Sequence, residues 1–216
     1  MKNFDLVLRF LVPAYDAVYN IIRHPGLLKK NSFIAEIFYR YIPTTLFFVW
    51  FFSLFPYEVG TIIYAILMLF GAYRVHMLSK KNSKNLNTLY YLIVLYIGFF
   101  GIRAFIGHTF FRDWVAESIG WEIGSPFQIE LAFYHLGLAV SAFIFMWKKS
   151  TDLALGLVVS KSIFWFGAFG VHVYELISNG NISANNIGPW IIYMDLIIPV
   201  LLIWFLIKAR EESRLN

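Results

Sequence analysis

Long apolar runs separated by short polar connections are the dominant pattern of this sequence. A run of about 20 residues is long enough, as an α-helix, to cross a hydrocarbon core of about 30 Å. The runs that meet this length are 33–55, 58–78, 88–111, 127–147, 153–177 and 189–208. The predicted fold is therefore an all-α, polytopic membrane helix bundle of about six transmembrane helices plus an N-terminal amphipathic helix.

The amphipathic helix is predicted from a narrow polar stripe in residues 4–23. At about 100° per residue the polar side chains fall within roughly 60° of one another. They are Asp5, Arg9, Asp16, Asn20 and Arg23. This stripe favours a helix lying in the membrane interface over one that spans the membrane with its polar side turned inward. The predicted organisation is an amphipathic interfacial segment at 1–31, a single transmembrane helical domain at 32–208 and a cytoplasmic tail at 209–216.

Composition agrees with a membrane protein. The 216 residues are 59% hydrophobic and 14% charged, which excludes an ordinary soluble globular domain. No cysteine is present, so disulfides and cysteine-ligated metals are excluded. The formal net charge is +5, but the basic residues lie in short clusters beside the apolar runs. Such clusters are typical of topology signals, so the predicted partner is the lipid bilayer and not nucleic acid.

The basic clusters also predict an orientation, because they occur at alternate connections and so fall on one side. They are Lys29-Lys30, Lys80-Lys81-Lys84, Lys148-Lys149 and Lys208-Arg210-Arg214. Basic residues near span ends mark the cytoplasmic side. The N- and C-termini are therefore predicted in the cytoplasm, and the long connection from Arg112 to Ser125 is predicted outside.

Ionisable side chains within spans are costly and frequently functional. Counting about 1.5 Å per residue, the ones in the outer half of the spans are His108, Glu130, His135, His172, Glu175 and Asp195. If their spans face one another, they form an outward-facing pocket of imidazoles and carboxylates. The residues expected to support this pocket are Arg103, Glu117, Gln128 and Lys161.

Helical spacing brings some of these residues together. His172 and Glu175 are three residues apart and share a face with Trp165 and Lys161, so that face is predicted to point into the bundle. Pro199 cannot donate the hydrogen bond that would normally close on the carbonyl of Asp195. A broken helix with a carboxylate at the break is a candidate cation site.

Three kinds of chemistry fit this set of residues. The first is a divalent metal as cofactor, with His108, Glu130 and His172 as ligands and a membrane-embedded metalloenzyme as one outcome, although no catalytic residue is identified. The second is a proton or cation channel or transporter that uses the same polar cluster. The third is a structural role, in which the chain is a non-catalytic subunit of a larger membrane complex or a homo-oligomer. The leading hypothesis is a pocket that binds a metal or a small cationic or protic ligand.

The outer connection carries its own signals. Residues from Asp113 to Gly120 predict a short helix with a glycine stop, and Ser125 to Gln128 predicts a capping box at the start of the next span. The stretch from Gly107 to Glu130, GHTFFRDWVAESIGWEIGSPFQIE, resembles the signature of an uncharacterised family of prokaryotic multi-pass membrane proteins. The resemblance extends more loosely to 162–172 and 195–199. It implies a protein of a prokaryotic inner membrane and assigns no activity.

Overall fold

The computed structural model describes residues 57–148 and 150–215. The chain divides into two compact units, Met1–Gly71 and Ala72–Asn216. The amphipathic helix predicted at 4–23 and the span predicted at 33–55 lie outside the described residues. The regular structure of the described ranges is entirely helical, which confirms the all-α fold class. The domain division at residues 31 and 208 stays a prediction.

The described α-helices are α1 (Tyr57–Leu78), α2 (Lys84–Phe110), α3 (Arg112–Ile119), α4 (Phe127–Lys148), α5 (Thr151–Asn179), α6 (Ala184–Ile187) and α7 (189–215). A 3-10 turn at Lys81–Ser83 precedes α2, and α2 contains a π-helical segment at Ile93–Phe99. Within these ranges, four stretches are long and apolar enough to cross a membrane: Lys84–Phe110, Phe127–Met146, Thr151–Asn179 and Ala184–Arg214. The stretch Ala65–Leu78 of α1 is a shorter apolar helix. The chain is therefore a helical membrane protein in contact with lipid.

The second unit contains a bundle of α2, α4, α5 and α7, which run alternately up and down. In this bundle α2 packs against α4 and α7, and α5 packs against α7 and α4. One end carries α3 and α6 and is called the α3 end. The other carries the start of α2 and the last turns of α7 and is called the tail end. Large apolar side chains such as Ile163 and Ile177 lie exposed on the bundle surface, where lipid covers them.

The helices α2 and α4 approach each other closely at small residues. A Cβ atom added at Gly101 would lie 2.9 Å from the Cβ of Ala139 and 3.0 Å from the carbonyl oxygen of His135. Glycine and alanine at these positions let the two backbones come together, as is common between membrane helices. This contact holds His135 on the inner side of α4, where its ring is buried.

The helix α7 contains a widened turn at the position predicted for a break. Residues Ile192–Ile197 form a π-helical segment that includes Asp195. Pro199 has no N–H, and its ring would collide with the carbonyl of Asp195 in a regular α-helix. A wider turn relieves this collision, so the predicted break is a local widening of a continuous helix.

The α3 end is closed by α3 and α6, which are bound to each other. Gly120 ends α3 with a φ of 81°, as the glycine stop predicts. The side chain of Asn181 donates to the carbonyl of Ile119 at 2.9 Å, and that of Asn185 donates to the hydroxyl of Ser118 at 2.8 Å. These bonds fix the connection that follows α3 over the ends of α5 and α7.

Candidate functional site

The centre of the polar cluster is Lys161, which is only 1% exposed. Its Nζ atom lies 2.9 Å from Nδ1 of His135, and a lysine ammonium is the donor in such a pair. The same Nζ lies 4.7 Å from the ring centre of Phe164 and 4.6 Å from that of Trp165. Aromatic faces stabilise a cation in this position. A buried ammonium therefore has one imidazole acceptor and an aromatic surround.

One arm of the cluster leads from His135 to the α3 end. The rings of His135 and His108 are stacked, with centroids 5.9 Å apart and planes 7° from parallel. Nδ1 of His108 donates to the side-chain carbonyl of Gln128, which is 2% exposed. The Ser125 hydroxyl does accept from the N–H of Phe127 at 3.3 Å, but the side chain of Gln128 bonds to His108. The capping box predicted at Gln128 is therefore incomplete, because this side chain serves the cluster instead.

The second arm leads from Lys161 through α7. Lys161 in α5 and Asp195 in the π-helical turn of α7 have opposite formal charges and lie on segments that pack against each other. Asp195 is 7% exposed. Oδ2 of Asp195 lies 3.8 Å from Nε2 of His172. Nδ1 of His172 lies 2.8 Å from the side-chain carbonyl of Asn186, which is also buried. The ring of Trp121 stacks on that of His172, with centroids 6.1 Å apart.

Together these two arms form what is called the polar network below. Its members come from α2, α4, α5, α6 and α7, and they are Gln128, His108, His135, Lys161, Asp195, His172 and Asn186. Both arms reach the α3 end, where Gln128 lies in the first turn of α4 and Asn186 lies in α6. On the tail side of Lys161, α5 buries the apolar residues Ala154, Leu157 and Val158.

Comparison with known proteins places the chain in a family. Residues 57–215 match the model of DUF6790, a family of unknown function. The chain belongs to this family. The match covers every helix that contributes to the polar network, and it confirms that the family is an uncharacterised one. No curated protein and no solved structure matches the chain.

Several residues predicted at the site of this DUF6790 member lie elsewhere. Glu130 and Glu117 are exposed. Glu175 is half-buried and accepts a hydrogen bond from Asn179 at 3.0 Å. Arg103 is exposed, and its guanidinium lies 5.1 Å from the ring centre of Phe100. The network therefore includes His108, His135, His172 and Asp195 of the predicted pocket residues, together with Lys161 and Gln128 of the supporting ones.

The predicted metal ligands His108, Glu130 and His172 are not assembled around one point. Among residues 57–148 and 150–215, no group of three or more His, Asp or Glu side chains is arranged to hold a metal ion. His108 and His172 lie in different arms, and Glu130 is exposed. Metal binding stays a prediction, and the geometry of the DUF6790 chain directs attention to its hydrogen-bonding groups.

Sequence reasoning missed Asn186 and Trp121, which complete the second arm. Both are in connections and not in apolar runs, so a search for ionisable groups within spans passes over them. A signal for Asn186 exists in its setting, because residues 181–186 contain three asparagines. Asparagine at the end of a membrane bundle can bond several backbone groups at once. Asn186 does so, donating to the carbonyls of Asn181 at 2.7 Å and His172 at 3.3 Å.

Proposed function

We propose that this membrane protein binds a small cationic or protic ligand in its polar network, from the side on which α3 and α6 lie. The observation that carries the proposal is that Asp195 has little exposure and, among the described residues, no hydrogen-bond donor. The Asp195 side chain is only 9% exposed, its oxygens keep some accessible surface, and within the described part of the chain neither oxygen accepts a hydrogen bond. Buried carboxylates are strongly disfavoured unless they are paired or ligated.

A purely structural network would bond each of its charged members directly, and the first arm does so. Lys161 bonds to His135, and His108 bonds to Gln128. The second arm differs, because within the described residues Asp195 accepts no hydrogen bond and its nearest ionisable partner, His172, is 3.8 Å away. This contrast supports a binding role for the second arm.

The positive-inside rule supports access from outside the cell, since the basic clusters lie at the tail end. The apolar side chains of α5 beyond Lys161 favour a site closed on the cytoplasmic side. A closed inner half suits a binding site better than a continuous channel, which needs polar groups along its whole length.

Binding of a small ligand is tested by ligand-dependent stabilisation of the purified full chain in detergent. A ligand that binds only the folded state at 100 times its Kd stabilises that state by about 2.7 kcal/mol. Melting temperatures would be measured with a panel of simple salts and small polar molecules. Stabilisation that is lost in Asp195→Asn and kept in Glu175→Gln supports the proposal. No stabilisation by any member of the panel would overturn it.

Transport of a proton or cation is the second candidate function, favoured by the central position of Lys161 in α5. Flux in proteoliposomes would be followed with a pH-sensitive dye and with ion-selective probes. A flux that disappears in the double variant His135→Ala and Asp195→Asn supports this function. A flux that survives in that variant would exclude the network as the pathway.

Metal binding as a function has its own measurement, because elemental analysis needs no assumption about the ligand set. In the described ranges, Nε2 of His108 makes no hydrogen bond and keeps a lone pair for a metal, because the ring hydrogen is on Nδ1. Nε2 of His135 carries the hydrogen of its neutral ring, since Nδ1 accepts from Lys161. A stoichiometric metal that is lost in His108→Ala would support a metalloprotein. Protein purified without chelators and free of metal would remove this candidate.

A further inference from the structure

The second arm holds two hydrogen-bond acceptors that face each other with no donor between them. Oδ2 of Asp195 and Nε2 of His172 are 3.8 Å apart, beyond the range of a hydrogen bond. We propose that this gap binds a small ammonium cation, either ammonium itself or a small primary ammonium group, which donates one hydrogen bond to each acceptor. This inference rests on the proposed function and specifies its ligand.

The position of the hydrogen on a neutral His172 ring follows from its partner Asn186. The side-chain NH₂ of Asn186 donates to two backbone carbonyls, those of Asn181 and His172, at 2.7 and 3.3 Å. The side-chain oxygen of Asn186 is therefore the atom that faces the ring, 2.8 Å from Nδ1. An amide oxygen only accepts, so Nδ1 of His172 carries the hydrogen. In the neutral ring Nε2 is then an acceptor, directed at the Asp195 carboxylate.

The size of the gap fits one nitrogen donor. A nitrogen placed about 2.8 Å from each acceptor, with the acceptors 3.8 Å apart, makes an acceptor–nitrogen–acceptor angle of roughly 85°. This is about 24° narrower than the tetrahedral angle of an ammonium group, so each of the two hydrogen bonds would be bent by about 12°, within the usual range. The charge of Asp195 favours a cation over a neutral donor. Trp121 stacks on the His172 ring, which restricts the site to small ligands.

Ammonium suits these acceptors better than a metal ion of the same charge. Alkali ions prefer oxygen ligands, whereas this gap offers one imidazole nitrogen and one carboxylate oxygen. Divalent transition metals accept nitrogen and oxygen but need three or more protein ligands, and no such group exists among the described side chains. Ammonium carries several N–H donors and can therefore bond to both Oδ2 of Asp195 and Nε2 of His172.

The test compares salts that share a charge but differ in hydrogen-bond donors. Melting of the purified full chain would be followed in matched concentrations of ammonium, methylammonium, sodium, potassium and tetramethylammonium chloride. We expect ammonium and methylammonium to stabilise the chain with apparent affinity at least tenfold tighter than sodium or tetramethylammonium. The two-acceptor site further predicts loss of this preference in Asp195→Asn and in His172→Phe. Glu175→Gln, an acid on the same helix as His172, is the matched control.

The ranking of salts in the wild-type protein decides the inference even if a variant fails to fold. Stabilisation by sodium or potassium equal to that by ammonium would overturn the ammonium site and leave the proposed function standing. If none of the salts stabilises the chain and an uncharged ligand does, the ammonium site is likewise overturned and the proposed function stands. Failure of every ligand in the wider panel would overturn the proposed function itself.

Discussion

The imidazole Nε2 of His172 faces the carboxylate Oδ2 of Asp195 across 3.8 Å, and both atoms are acceptors when the ring is neutral. The arrangement depends on groups at both sides of the gap. Asn186 fixes the ring on one side, and the π-helical turn before Pro199 presents the carboxylate on the other. The two sides come from different parts of the sequence, so each can be tested separately.

Asn186→Ala is predicted to weaken ammonium binding by roughly tenfold, because losing one acceptor of a charged donor costs about 1.5 kcal/mol or more. Without the amide oxygen of Asn186, the hydrogen on Nδ1 of His172 can be carried by Nε2 instead, and Nε2 then no longer accepts a hydrogen bond. Titration calorimetry with ammonium chloride measures the change. Asn185→Ala is the control, since Asn185 lies in the same helix and bonds instead to Ser118. Equal effects of both substitutions would mean that Asn186 only stabilises the α3 end.

Lys161→Met is predicted to raise the affinity for ammonium, by roughly tenfold at the effective dielectric of a protein interior. Lys161 is a cation of the polar network, so it repels any other cation that binds beside Asp195. Methionine keeps the approximate length of the side chain and removes the charge. Salt-dependent melting and calorimetry give the affinity. Lys148→Met, an exposed position at the tail end, should change nothing. Weaker binding in Lys161→Met would show that the lysine supports the ligand and does not compete with it.

Gly101→Ala is predicted to destabilise the bundle by about 1–3 kcal/mol, the usual cost of overpacking a tight contact. The new methyl group would lie 2.9 Å from Cβ of Ala139 and 3.0 Å from the carbonyl oxygen of His135. Gly137→Ala is the matched control on α4, because a Cβ there meets no atom within 4 Å. That control should be neutral or stabilising by up to about 1 kcal/mol, since alanine favours a helix. Thermal or denaturant unfolding in detergent, monitored by helicity, compares the two.

Much of the fold follows from the sequence, because apolar length alone predicts a helix that must satisfy its backbone groups in lipid. The spans from α2 onward and the irregular turn before Pro199 were predictable for that reason. The side of its helix on which each polar side chain lies was harder to predict. Glu130 is two residues from Gln128, about 200° around the helix, and so points away from the side that carries Gln128 and His135. The depth of Glu130 along its span does not show that it points outward. The angle between Glu130 and Gln128 around the helix axis does show it.

Residues in connections were the least predictable part of the site. Asn186 and Trp121 reach the network only because α3 and α6 are bound to each other at the end of the bundle. Such contacts join positions about 60 residues apart in sequence, and no local pattern encodes them. The side chain of Gln128 shows a related limit, since a local capping signal competes with a long-range bond to His108.

Glu212→Ala is predicted to destabilise the tail end of the bundle by about 1 kcal/mol, the usual cost of losing a helix N-cap interaction. The Glu212 carboxylate accepts hydrogen bonds from the backbone N–H groups of Asn85 and Leu86, at 3.2 and 3.3 Å, and from the side chain of Asn85 at 2.6 Å. These groups lie at the start of α2, where unpaired N–H groups and the helix dipole both favour a negative charge. The last turns of α7 are thereby tied to α2.

The control for this substitution is Glu211→Ala, because the neighbouring acid bonds only to Lys208 on its own helix among the described residues. We expect the free energy of unfolding of that variant to lie within about 0.5 kcal/mol of the wild-type value, as is usual for an exposed ion pair. Hydrogen exchange adds a local measurement, since loss of the cap should increase exchange at Asn85 and Leu86 and leave the amides of α5 unchanged. Equal exchange at Asn85 in the two variants would mean that the start of α2 is held by its packing against α7 and not by the carboxylate.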